Sequence, residues 1–401
     1  MDLEYSEEYR RFADEVRAFL AEQWPPKGEQ AKLGWEEQAS SFRERAIERG
    51  YLARHIPRQY GGSEQESDVL KGTIIGEEFA KAGAPGEMRG IGPSMLVPTL
   101  VEHGAEWQKE QFVGPTIRGE MHWCQGYSEP GAGSDLASLK TRAELDGDEW
   151  VINGQKIWTT MAHIAQYMFC LCRTEPDAPK HAGISYILID MKTPGIDVRP
   201  LKTMTGMADF NEVFLDDVRV PARNIVGKRG AGWLVSRSTL KHERNMIGGT
   251  EGVLATHRGL VKLAQESARD GRPAIEDPRV QDELIQLEGF VEAHRYSSYQ
   301  QLTLAARGES AGLAGLLNKL SSSNLSHRSV ELAMDLIGDD ALSAPGHVPL
   351  LGTPRGNSGW VSQFMWSLAL SIGGGTANIQ RNVIAERGLG LPRDQAANSR
   401  G

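Results

Sequence analysis

The hydrophobic period of the chain changes twice, and this order constrains the fold more than any other feature of the sequence. From about residue 6 to 118, apolar side chains recur at the spacing of amphipathic helices. From about 121 to 227 they alternate at every second residue, as in half-buried strands, and from about 230 to 387 the helical spacing returns. Because no helix-length pattern separates the strand-like runs, the middle zone predicts antiparallel, meandering sheets.

These zones predict a mainly α fold with a central β domain. Ser6 is the expected N-cap of the first helix, and Pro25-Pro26 is expected to stop it. Val16 and Leu20 belong to the predicted apolar stripe of this helix. The last zone contains long amphipathic runs, which predict a helical bundle. The predicted domains are an N-terminal helical domain over 1–120, a β domain over 121–228 and a C-terminal bundle over 229–401.

Composition restricts the class of protein. The 401 residues contain 44 Lys and Arg against 53 Asp and Glu, a net charge of −9 that disfavours nucleic-acid binding. No stretch approaches the roughly 20 apolar residues of a membrane span, and the N-terminus does not resemble a secretory signal. Cys124, Cys170 and Cys172 are predicted to be buried, reduced thiols rather than metal ligands. We therefore expect a cytoplasmic protein with no metal, no membrane contact and no nucleic-acid partner.

A loop of small residues is the strongest local signal for a binding site. Residues 127–135 read Tyr-Ser-Glu-Pro-Gly-Ala-Gly-Ser-Asp, and such a loop lets backbone amides approach an anionic or heteroaromatic ligand. It lacks the G-K-[ST] of a P-loop and the strand–helix context of a dinucleotide site. Taken alone, it fits a tight connection at a sheet edge equally well.

The loop resembles the T-E-P-x-A-G-S-D signature of the acyl-CoA dehydrogenase family. Its amino-acid sequence is most similar to that of members that act on bulky or steroid side-chain acyl-CoAs. Other segments resemble further family motifs in the family's order: 57–62, 156–160, 210–221 and 375–381. The resemblance implies an N-terminal helical domain, an antiparallel β domain and a C-terminal four-helix bundle. It also implies FAD held between the last two.

The resemblance further implies which residues form the site. Those implied for FAD are Gln125, Tyr127, Ser128, Trp158, Thr160 and Thr376. Those implied for the acyl-CoA are Ser134, Arg244 and Gly374. By this resemblance Trp158 packs beside the isoalloxazine ring, and Thr160 hydrogen-bonds near its reactive edge. Ser134 contacts the pantetheine or phosphate part of coenzyme A, and Arg244 orders the site or pairs with a carboxylate of the bundle.

The implied reaction is α,β-dehydrogenation of an acyl-CoA, in which a carboxylate of raised pKa removes the α-proton and the hydride passes to flavin N5. Many members place the carboxylate in a C-terminal Y-E-G-T, where this chain reads G-G-G-T over 373–376. A smaller group carries it before an arginine on a bundle helix, and Glu243 lies at the matching distance. Glu243 is therefore the predicted base, while the Gly374 amide remains a donor to the thioester oxygen. A solvated helix glutamate is the alternative, and His242 is a second candidate acid–base group.

Two departures from the family pattern concern the FAD pyrophosphate. In homotetrameric members an R-x-x-F-G motif of one subunit contacts the FAD pyrophosphate of its neighbour. This chain lacks the motif over 267–273, where Arg269 and Arg272 are candidate substitutes. The L-G-G-x-G motif is replaced over 336–340, where Asp339 and Asp340 would repel a pyrophosphate. Several possibilities stay open: a homo-oligomer that passes electrons to an electron-transfer flavoprotein, an α2β2 assembly with a related subunit, a non-catalytic subunit, or an oxidase or desulfinase.

Overall fold

The computed structural model describes residues 5–247, 250–346 and 356–392, without the side chains of 243–247. The α-helices in this part of the chain are α1 (Glu7–Gln23), α2 (Trp35–Glu48), α3 (Val69–Ala82), α4 (Val97–His103), α5 (Glu106–Arg118), α6 (Gly232–Ile247), α7 (Thr250–Glu266), α8 (Pro278–Ala306), α9 (Gly312–Ile337), α10 (Gly356–Leu370) and α11 (Ala377–Val383). The strands are β1 (Trp123–Gly126), β2 (Arg142–Asp146), β3 (Glu149–Thr160), β4 (Tyr167–Arg173), β5 (Ile184–Asp190), β6 (Ile196–Leu201), β7 (Phe210–Pro221), β8 (Ile225–Val226), β9 (Ala268–Arg269) and β10 (Arg272–Pro273).

The first helix has the predicted ends. Ser6 occupies the N-cap position of α1, although its side chain makes no capping hydrogen bond. The helix ends at Gln23, just before Pro25, because proline removes a backbone donor and clashes with the preceding turn. Val16 and Leu20 lie on the predicted apolar stripe and are buried.

Eight strands form one sheet in the order β6-β7-β3-β2-β4-β5-β8, with β1 beside β4. Most neighbours run antiparallel, as predicted. Two pairings are parallel, so the sheet is not the simple meander that we expected: β1 pairs with β4, and β2 with β4 at a single position. A parallel pair needs a long connection, and the glycine loop with the β2–β3 hairpin provides it between β1 and β4.

By its contacts the chain divides into two compact units. Unit 1 comprises Met1–Leu201 and Ala208–His242, and unit 2 comprises Lys202–Met207 and Glu243–Gly401. Unit 1 therefore contains α1–α5, the sheet and the beginning of α6. Unit 2 contains the rest of α6 and α7–α11.

Unit 1 packs its N-terminal helices and its sheet around shared side chains. Leu100 of α4 and Phe112 of α5 belong to the same buried cluster as Phe169 and Leu188 of the sheet. A second cluster of the sheet contains the three cysteines, which are buried and free, as predicted. Helices α4 and α5 thus share a hydrophobic core with the sheet, and α1–α3 pack around a separate cluster.

Unit 2 is built around a four-helix bundle, as the resemblance implied. Helix α9 packs against α7, α8 and α10, and α7 also packs against α8. Leu260, Leu287, Ala333 and Val361 lie in its core, one from each helix. None of the helices that the structure describes is long and apolar enough to cross a membrane.

Candidate active site

The glycine loop lies directly beside strand β3. The backbone N–H of Ile157 donates to the carbonyl oxygen of Ser128 at 2.9 Å. The Lys156 ammonium donates to the carbonyl oxygen of Tyr127 at 3.3 Å. Two segments that the sequence assigned to the same ligand, 127–135 and 156–160, are therefore neighbours within unit 1.

A bulge in β3 turns Trp158 out of the sheet. Lys156 faces Val213 and Thr159 faces Asn211, so two residues of β3 oppose one residue of β7. Trp158 has φ +61°, a left-handed conformation that costs a non-glycine residue about 1–3 kcal/mol. Its side chain is 57% exposed, which is unusual for tryptophan, and its ring meets Phe210 edge to face at 5.9 Å.

Three half-buried polar side chains in the segments 125–128 and 156–160 are available to a ligand. Among the described residues, no hydrogen-bond partner is found for the side chains of Gln125, Ser128 and Thr160. Their donors and acceptors are therefore free to bind a ligand. An aromatic platform with such groups fits a planar heteroaromatic ring, as the resemblance implied for FAD.

Two other predicted residues of the loop lie in different surroundings. The ring of Tyr127 is buried, and it packs edge to face on Phe169 at 5.8 Å and on Tyr186 at 6.3 Å. Tyr127 can therefore offer a ligand its backbone more readily than its ring. Ser134 is exposed near the far end of the loop.

A buried ion pair that the sequence analysis did not single out connects the same two segments. Lys156 is fully buried, and its ammonium donates to Glu129 Oε1 at 2.8 Å and to the Leu171 carbonyl oxygen at 2.8 Å. The Glu129 carboxylate also accepts from the backbone N–H of Lys140 at 2.6 Å and of Thr141 at 2.8 Å. Burial alone would raise the pKa of Glu129, but the Lys156 charge and these hydrogen bonds outweigh it, and the pKa lies below its usual range.

This lowered pKa predicts a specific loss of stability in acid. The contribution of ionised Glu129 is complete above the ordinary carboxyl pKa of 4.5, and it is lost as the pH falls through the lower pKa of the folded state. We expect the unfolding midpoint of the wild type to fall more steeply below pH 4.5 than that of the double variant Glu129→Gln/Lys156→Met. Thermal unfolding between pH 7 and pH 3 measures this difference, and equal slopes would contradict the prediction.

Helix α6, which carries Glu243, is anchored within unit 1 just before that residue. Thr239 Oγ1 and Thr99 Oγ1 share a fully buried hydrogen bond of 2.9 Å, and His103 bonds to Ser238 at 2.9 Å. Glu243 follows one helical turn after Thr239. Its backbone is helical, but its side chain and that of Arg244 lie outside the described residues.

His242, the other candidate acid–base group, is half-buried on the same helix. Burial and then the charge of Lys241 lower its pKa, against the opposing effect of Glu102. The imidazole is therefore mainly neutral at pH 7.

The triglycine segment of unit 2 is held by a buried lysine. Lys319 of α9 is 2% exposed and donates to the carbonyl oxygens of Leu370 at 2.7 Å and of Gly375 at 2.9 Å. Gly374 has φ +62°, which glycine adopts freely. Within the described residues its N–H has no hydrogen-bond partner, so it can donate to a ligand. Thr376 caps α11 by accepting from the Ile379 N–H at 3.2 Å.

The two segments that stand in place of the family's pyrophosphate motifs line a common cavity of about 260 Å³. Its lining residues include Ala268, Arg269, Asp335 and Gly338. Arg269 pairs there with Asp335 at 2.9 Å, and its Nε lies 3.3 Å from Asp277. Its charge is thus already balanced by carboxylates. Arg272 is exposed and forms no ion pair with any residue that the structure describes, so it is the freer of the two candidate arginines.

The predicted site residues are divided between the units. Unit 1 brings together 125–128 and 156–160, with Ser134 farther along the loop. Gly374 and Thr376 lie together in unit 2. The sequence did not predict a structural role for Glu129, Lys156 or Lys319. The available signal for the first two was a charged residue inside a motif of mostly uncharged residues.

Comparison with known proteins defines the class. Family models of the acyl-CoA dehydrogenase N-terminal, middle and C-terminal domains match residues 6–120, 124–218 and 230–389. The chain belongs to the acyl-CoA dehydrogenase family and is an oxidoreductase that acts on CH–CH bonds. The family generally uses FAD.

Individual relatives cover nearly the whole chain. Acyl-CoA dehydrogenase IpdE1 of Mycobacterium tuberculosis is 39% identical over 362 residues, which are 89% of each chain. The crystal structure of the ChsE4–ChsE5 complex from the same species matches with a TM-score of 0.76 and 30% identity, over 98% of this chain and 100% of the other. A steroid acyl-CoA dehydrogenase, Tcur3481–Tcur3483, matches with a TM-score of 0.76 and 28% identity, over 98% and 100%.

Proposed function

We propose that this chain catalyses FAD-dependent α,β-dehydrogenation of a bulky, ring-containing acyl-CoA, with Glu243 as the general base. The observation that carries the proposal is the outward-turned Trp158 in the segment that lies beside Ser128. A planar cofactor can pack on the indole while the hydroxyls of Ser128 and Thr160 remain open to it. The similarity to a steroid acyl-CoA dehydrogenase supports the ring-containing substrate.

Each step of the proposed reaction is assigned to residues of this chain. Glu243 takes the proton from the α-carbon, and the resulting negative charge develops on the thioester oxygen. The Gly374 N–H donates to that oxygen and stabilises the charge. Lys319 holds the segment through the Gly375 carbonyl, so the amide is oriented before the substrate binds. Ser134 contacts the coenzyme A part of the substrate, and Arg244 orders the site around the base.

Within unit 1 the cofactor would be held by Gln125, Ser128, Trp158 and Thr160, and by the backbone of Tyr127. FAD, when bound, supplies the acceptor for the hydride that leaves the β-carbon. An electron-transfer flavoprotein would be the electron acceptor of the enzyme.

The chain forms the site together with a related subunit in an α2β2 assembly. The supporting observation is that Arg269, which could replace the missing motif arginine, is neutralised by Asp335 and Asp277. The two carboxylates beside this arginine would repel a pyrophosphate. The similarity to the ChsE4–ChsE5 complex supports a heteromer as well.

Anaerobic titration of the flavin-loaded enzyme with a panel of acyl-CoAs tests the activity. We expect ring-containing acyl-CoAs to bleach the flavin band and straight-chain ones of similar mass to bleach it at least roughly tenfold more slowly, because a misplaced α-carbon loses the alignment with the base. An oxidase would consume oxygen in aerobic turnover, and a desulfinase would release sulfite. No bleaching by any acyl-CoA would contradict the proposal.

A further inference from the structure

We propose that the buried ion pair of Glu129 and Lys156 is a positioning device that fixes the glycine loop against β3 and so sets the flavin-contacting groups before the cofactor binds. The inference rests on the proposed function, because it assigns these two residues to the same cofactor site. Neither side chain touches the ligand surface: Lys156 is 0% and Glu129 8% exposed. They act through the residues on either side of them.

The contacts of the pair form a closed network. An ammonium group has three N–H donors, and those of Lys156 are directed at Glu129, Tyr127 and Leu171. The carboxylate of Glu129 accepts hydrogen bonds from the backbone N–H groups of Lys140 and Thr141, in the chain that leads into β2. The network therefore connects the glycine loop, the start of β2, β3 and β4 through two side chains.

The position of the pair in the sequence explains why this connection matters. Glu129 directly follows Tyr127 and Ser128, and Lys156 precedes Trp158 and Thr160. Lys156 is also the last residue of β3 in register before the bulge. The left-handed Trp158 persists only if the surrounding structure enforces it. Fixing Lys156 on one side of the bulge supplies part of that constraint.

Energetics favour a role in geometry over a role in stability. Removing charges from water is costly, and replacing a buried ion pair by neutral side chains of similar size is often harmless to stability. A fully satisfied polar network does restrict the conformations of the segments that it joins. The loop should therefore lose order when the pair is neutralised, even if the fold remains stable.

The test compares the double variant Glu129→Gln/Lys156→Met with a control in which another ion pair is neutralised. Arg17→Met/Glu78→Gln is the control, because Glu78 is similarly buried, with 7% exposure, and belongs to the N-terminal helices. Two quantities are measured on the full chain, with its related subunit if FAD binding requires it. They are hydrogen exchange of the loop amides without flavin, and the dissociation constant of FAD from flavin fluorescence.

We expect the double variant to exchange the amides of 127–135 at least tenfold faster and to bind FAD at least tenfold more weakly, with an unfolding midpoint close to that of the wild type. The control should leave both quantities unchanged. Wild-type exchange and affinity in the double variant would overturn the proposal.

Should that variant fail to fold, Glu129→Asp keeps the charge but withdraws the carboxylate from Lys140 and Thr141. The same loosening is expected of it, and a wild-type loop would again overturn the proposal.

The same measurements separate this inference from the proposed function. If the wild type binds FAD but no acyl-CoA reduces it, the proposed function fails, and exchange and FAD affinity still decide the role of the pair. If the wild type binds no FAD, either alone or with a related subunit, both proposals fail. If acyl-CoAs reduce the flavin and the double variant binds FAD normally, only the positioning role fails.

Discussion

Replacing Glu243 by glutamine should slow reduction of the bound flavin by acyl-CoA by roughly 10²–10⁴-fold, the range that general-base catalysis usually contributes. The carboxamide has nearly the same shape as the carboxylate, so FAD and substrate should still bind. It cannot accept the α-proton, and the triglycine segment over 373–376 offers no second carboxylate. Anaerobic stopped-flow absorbance at the flavin band measures the rate, and the flavin content of the purified variant shows that the site is intact.

The matched control is Glu251→Gln, which changes an exposed glutamate in the first turn of α7. We expect this variant to reduce its flavin at the wild-type rate. A fast Glu243→Gln enzyme would exclude Glu243 as the base. If His242→Gln showed the large loss instead, the neutral imidazole next to Glu243 would be the proton acceptor, and the proposed mechanism would be wrong.

The second large effect concerns flavin content. Purified alone, the chain should carry well below one FAD per chain, and co-purification with a related subunit should restore the flavin band. The reason lies in unit 2, where Ser267 and Asp270 stand at the motif positions of arginine and phenylalanine, and Arg269 is held by Asp335. A copy of this chain is thus poorly suited to lend a neighbour its pyrophosphate contacts.

Absorbance of flavin and protein, combined with the mass of the assembly by light scattering, checks this expectation. A homotetramer with one FAD per chain would contradict the heteromer and would make Arg272 the arginine to replace next. A chain that stays colourless with every related subunit would favour the non-catalytic alternative. The control is free FAD added in excess, which separates weak binding from a missing half-site.

Much of the fold could be predicted because local pattern encodes it. Helical spacing predicted α1 and its stripe at Val16 and Leu20, and alternation predicted the strands. The parallel pairing of β1 with β4 could not be predicted this way, since it joins Trp123 to Tyr167 across a loop and a hairpin. Nor does local period indicate that Phe112 of a helix shares a core with Phe169 of the sheet.

Only those residues of the candidate site that lie in family motifs could be predicted from the sequence. Resemblance supplied Ser128 and Trp158, and the structure places their segments side by side. The burial of Lys156 and Lys319 could not be predicted from the sequence, because a lysine side chain is normally exposed to solvent. Their burial follows from acceptors that other segments bring, and no local pattern shows those acceptors in advance.

The shared core of unit 1 has a consequence for the chain as it leaves the ribosome. Leu100 and Phe112 are translated early, but they share a buried cluster with Leu188 and Val226, which emerge much later. Strand β3 also cannot complete its pairing until β7 has been translated. Until then the nascent helices expose apolar surface, the condition under which chains aggregate or recruit chaperones. A truncation before residue 226 would therefore yield an aggregation-prone fragment.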